Sequence, residues 1–98
     1  MSELVAVEGT LTQGLNGWSR VALSSNPGPV LKIGGKRVLV VGSGGEIHRK
    51  GGTSRPCFVL QGSAKVKLGG IPVARVGDLV SDNDVLSADG AAVHVRFA

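Results

Sequence analysis

Residues 62–78, reading Gly-Ser-Ala-Lys-Val-Lys-Leu-Gly-Gly-Ile-Pro-Val-Ala-Arg-Val-Gly-Asp, leave the chain few ways to fold. Val66 and Leu68 alternate with Lys65 and Lys67, the two-residue period of a half-buried strand. Gly69-Gly70 follows, and a glycine pair reaches the positive φ that a tight reversal needs. Pro72 donates no ladder hydrogen bond, so the returning strand, Val73 to Val76, starts at an edge. Gly77-Asp78 makes a second turn. The segment is a β-hairpin closed at both ends.

The same order of strand, glycine pair, strand and glycine occurs upstream, from Val30 to Ser43. Lys32, Gly34-Gly35, Val38, Val41 and Gly42 fall opposite Lys67, Gly69-Gly70, Val73, Val76 and Gly77. A weaker third echo runs from Leu86 to Val95, with Gly90 and Val93 in matching places. Internal repetition of this kind predicts an all-β fold of short hairpins with little or no helix. Ile33, Val38, Val66, Leu68, Val73 and Val93 should be buried between the hairpins. Leu4-Val5-Ala6-Val7 alternates in the same way and should add a strand or two. Sixteen glycines among 98 residues suit tight turns and oppose helices, and the length fits a single domain over 1–98.

The net charge of +4 raises the question of nucleic acid. The basic residues are dispersed, aromatics make up only 3% of the chain, and no helical period offers a duplex-reading helix. The charges read as solvation of outward strand faces, and no nucleic-acid partner is expected. Val38-Leu39-Val40-Val41-Gly42-Ser43-Gly44-Gly45 resembles the opening of a nucleotide-binding βα turn, but that motif needs a helix after it. Here Gly51-Gly52 and Pro56 follow, which break helices. No apolar run reaches membrane-spanning length and the first residues lack a leader pattern, so synthesis in the cytoplasm without a signal peptide is expected. A single cysteine, Cys57, excludes an internal disulfide. Cys57 with a histidine could form a nucleophile pair, yet no third group orients it. Asp82-Asn83-Asp84 lacks the glycine and distal glutamate of a calcium loop, and turn aspartates account for it. No enzyme activity is expected.

Gly62-Ser63, Pro72-Val73-Ala74-Arg75 and Gly77-Asp78, at these spacings, resemble the signature of PAAR-repeat proteins. The likeness covers about residues 28–95 and departs at Val73, where the eponymous motif has alanine. It implies a small conical β domain that caps and sharpens a trimeric β-helical spike, one copy per trimer. Such spikes belong to type VI secretion systems and related phage-tail-like contractile injection machines, which puncture a target membrane. The implied location is the tip of the apparatus or virion tail, delivered outside the cell on firing. With no room for a fused toxin domain, any effector cargo would come from partners. A small β-rich metal-binding adaptor and a nucleotide-binding enzyme are the competing readings.

The family resemblance also implies zinc, held near the tip by three histidines and a cysteine. Zinc takes imidazole and thiolate in a tetrahedral set. His48, Cys57 and His94 are the candidate ligands for one ion. His48 and Cys57 fall in or beside the glycine-rich stretch 44–56, expected to be a loop that a metal would staple. With two histidines in the chain, the family's set is incomplete. For the docking face onto the spike, Leu31, Ile33, Val66 and Leu68 are the candidates, with Trp18 a further one, because an obligate contact is apolar like a divided core.

Overall fold

The computed structural model describes residues 3–14, 16–25, 30–90 and 96–97. Among these residues there are ten short strands: β1 Glu3–Leu4, β2 Thr10–Gln13, β3 Lys32–Ile33, β4 Lys36–Arg37, β5 Gly44–Lys50, β6 Thr53–Phe58, β7 Lys67–Leu68, β8 Ile71–Pro72, β9 Val85–Gly90 and β10 Arg96–Phe97. They pair antiparallel as β1·β10, β2·β9, β3·β4, β5·β6 and β7·β8. Among the described residues the sole helical element is a 3-10 turn, Ser81–Asn83. The expected all-β fold of short hairpins is what the chain adopts.

A closed ring lies at the centre. Ala6 N donates to Ala74 O (3.1 Å), Ala74 N to Leu39 O (2.8 Å) and Leu39 N to Ala6 O (3.0 Å). Bridges Val7↔Val38, Val40↔Val73 and Val5↔Arg75 join the same three segments around the ring. A turn follows each segment, with Thr10 N donating to Val7 O, Ser43 N to Val40 O and Asp78 N to Arg75 O, all at 3.0 Å. The third turn residue is Gly9, Gly42 or Gly77, with φ of 91°, 91° and 94°. That is the type II position, where a side chain would be strained. A side-chain oxygen of Thr10, Ser43 or Asp78 then accepts from the backbone N–H of Val7, Val40 or Arg75. The glycine amide donates outward to Leu23, Val59 or Leu86, at 2.7, 2.9 and 2.7 Å. One chain has thus built a pseudo-three-fold platform.

Strand alternation divides the core at this platform. Ala6, Leu39 and Ala74 point one way, into a cluster with Leu23, Cys57, Val59, Val80 and Leu86. Val5, Val7, Val38, Val40 and Val73 point the other way and are covered by Ile33, Val66, Leu68 and Ile71. Val38 and Val73 are therefore core, as expected, while Ile33, Val66 and Leu68 are half-buried; Val93 lies outside the described residues.

Two expectations are corrected. The third unit is not built from Leu86–Gly90, the described part of the expected echo; its remainder, 91–95, lies outside the described residues. That unit is the segment Val5 to Thr10, entered from a base hairpin made of β1 and β10, strands from opposite ends of the sequence. β9, which holds Gly90, pairs with β2 instead. The stretch 44–56 is not a loop either. β5 and β6 run in register from Glu46↔Cys57 to Lys50↔Thr53, turning at Gly51-Gly52. Pro56 is accommodated because β6 belongs to a two-stranded sheet with an open edge.

Candidate functional site

Three base hairpins, β3·β4, β7·β8 and β10·β1, enter the platform at Val38, Val73 and Val5. Ile33 and Leu68 occupy the same register, opposite Lys36 and Ile71, and both pack beneath the platform valines. Val66 joins them, and its carbonyl accepts from Val73 N as Leu31 O accepts from Val38 N. The structure therefore brings Ile33, Val66 and Leu68 to one side of the platform. Leu31 sits at the matching position with its side chain 42% exposed, beside the exposed Val30. Ile71, absent from the sequence reading, belongs to the same face. Trp18 does not join this group.

Trp18 instead stacks on His48, ring centroids 4.3 Å apart. His48 projects inward from β5 and is fully buried. Its Nε2 is 2.7 Å from Asp82 Oδ2, a hydrogen bond to a carboxylate, and its Nδ1 lies 3.7 Å from Asp84 Oδ2. Both carboxylates come from the 3-10 turn and the residue after it. Asp82 and Asn83 hold positive φ, 60° and 65°, a region that Asp and Asn enter more readily than other non-glycine residues. Arg55 of β6 approaches Asp82 at 3.5 Å. Among the described residues, His48 Nδ1 and both Asp84 oxygens are buried without a hydrogen-bond partner. Burial raises the Asp84 carboxyl above its ordinary value; His48 opposes the rise and Asp82 adds to it.

Cys57 faces inward on β6 and is fully buried. Burial pushes its thiol up to about 11; the Ser81 amide opposes this, and the charges of Asp84, Asp82 and Glu46 add to it. A thiol so placed is protonated at neutral pH and has little nucleophilic character. For zinc, His48 and Cys57 are carried by paired strands, while His94 lies outside the described residues. Among the described residues no three His, Cys, Asp or Glu side chains are grouped to hold a metal, so the described donors fall short of a tetrahedral set. Asp82 and Asp84 are the partners of His48 that sequence reading missed, having assigned them to turn formation. Comparison with protein-family models and with curated proteins finds no match.

Proposed function

We propose that this chain caps the three-fold end of a trimeric β-helical spike, one copy per trimer, as the puncturing tip of a contractile injection machine. One observation carries the reading: the cyclic set of hydrogen bonds among Ala6, Leu39 and Ala74, repeated outward through three turns of the same type. A monomer meeting a trimer presents one surface to three identical ones, and a satisfied contact needs three near-equivalent faces. The base hairpins supply them, with Ile33, Val66, Leu68 and Ile71 forming an apolar centre. Extents of 40 × 26 × 24 Å suit a narrow cap. The resemblance around Pro72 to Asp78 supports the same partner.

Mixing the purified chain with a recombinant trimeric spike tests this directly. Light scattering should give one chain per trimer. Val66→Asp or Leu68→Asp places a charge within a desolvated contact and should abolish co-elution while circular dichroism stays β-like. Undiminished binding by a folded variant would place the contact elsewhere.

A further inference from the structure

The base carries more than an apolar centre. Lys32 precedes Ile33, Lys67 precedes Leu68 and Arg96 precedes Phe97, and each following residue pairs with the first residue of the returning strand: Lys36, Ile71 and Glu3. Lys32, Lys67 and Arg96 therefore share one register position in the three hairpins, and all three are basic. Lys32 and Lys67 are exposed, and Lys36 and Lys65 add two more exposed cations on β4 and just before β7. The stretches 30–38 and 62–72 contain no aspartate or glutamate. Among the described residues, Lys32, Lys36, Lys65 and Lys67 make no ion pair, whereas Arg20, Arg55 and Arg75 are matched by Asp89, Asp82 and Asp78.

We infer that the spike end received by this base bears a carboxylate repeated once per chain, arranged as an acidic rim around an apolar centre. This rests on the capping reading above and specifies the chemistry of its partner. Charge complementarity at a rim chiefly sets approach rate, rejection of wrong partners and register. A polyanion such as duplex DNA or an acidic bilayer would satisfy the cations but has no use for their three-fold repetition. Lysines on short edge strands also deter strand-to-strand aggregation, and the experiment separates that role from recognition.

The probe is a trimeric β-helix fragment ending in a flat three-fold face, made as twins with glutamate or glutamine at one rim position of each chain. Calorimetry at 0.1 M salt should show the wild-type protein binding the glutamate twin at least about tenfold more tightly. The gap should close at 1 M salt, where screening acts over about 3 Å instead of about 10 Å. A triple variant, K32Q/K67Q/R96Q, should lose the preference while keeping its β spectrum. Equal, salt-insensitive binding to both twins overturns the acidic rim and leaves the cap standing. Failure to bind either twin overturns the cap itself. Binding of a 20-base-pair duplex or phosphatidylserine vesicles, lost in the triple variant, with no preference between the twins, overturns the inference in favour of a polyanion.

Discussion

Two of the three platform turns invite an exchange of residues. The second reads Val40-Val41-Gly42-Ser43 and the third Arg75-Val76-Gly77-Asp78. In both, the last residue accepts from the backbone N–H of the first. The third turn adds an ion pair: Asp78 Oδ1 accepts from Arg75 Nη2 at 2.8 Å and Oδ2 from Nε at 3.1 Å, with the two side chains 5% and 21% exposed. Arg75→Val alone leaves a buried carboxylate without its guanidinium and should cost about 3 kcal/mol. Asp78→Ser keeps an oxygen to cap residue 75, as Ser43 caps Val40, and leaves an arginine that still reaches Gly62 O at 3.3 Å. About 2 kcal/mol is the expected cost. The double variant recreates the second turn inside the third, so its cost should also be about 2 kcal/mol, a coupling of about 3 kcal/mol. Urea unfolding resolves this, since each kcal/mol moves the midpoint by roughly 0.3–1 M. Additive losses in the double variant would refute the equivalence of the turns.

Burial of Cys57 makes stability depend on pH at the alkaline end. A folded-state value raised from about 9 to about 11 means the contribution is complete below about pH 9 and is lost as pH climbs through 11, and Cys57→Ala should flatten that limb in urea titrations. Burial raises the Asp84 carboxyl, and its two buried oxygens have no hydrogen-bond partner among the described residues, so Asp84→Asn should raise the melting temperature at pH 7, and a fall would show that the carboxyl is needed beside His48. Gly44 has a φ of 119°, and a Cβ there would collide with the Cys57 carbonyl, whereas one at Gly34 meets open space; Gly44→Ala should therefore unfold at a distinctly lower temperature than Gly34→Ala. Metal analysis checks the zinc expectation: about one ion per chain, released in Cys57→Ser with a fall in melting temperature, supports it, and a metal-free protein indifferent to chelator refutes it.

The hairpins at Gly34-Gly35 and Gly69-Gly70 were legible because every cue for them is local: alternation, a glycine pair and a closing glycine. The third unit was written just as plainly, since Val5-Ala6-Val7-Glu8-Gly9-Thr10 matches Val38 to Ser43 and Val73 to Asp78 position by position. It was obscured because its hairpin partner, β10, lies at the far end of the sequence, while reading along a chain favours neighbours. The stretch 44–56 reads as a loop for a different reason. Four glycines suggest slack, but Gly51-Gly52 form a turn, and Gly44 is held close against the chain at Cys57 and Phe58. The His48 cluster was half legible. A histidine in a glycine-rich stretch stands out, yet nothing local shows that Asp82 and Asp84 will be folded onto it by a turn in the left-handed region.

Because β1 and β10 complete the third base hairpin, the order in which the ribosome makes the chain matters to its shape. Two walls of the base can assemble as soon as Ile71 and Pro72 have emerged, but Leu4 must wait for Arg96. Closing a gap of that length costs chain entropy that grows only slowly with distance, so the delay is one of timing more than of stability. A nascent chain lacks its third wall and cannot present a three-fold base to anything.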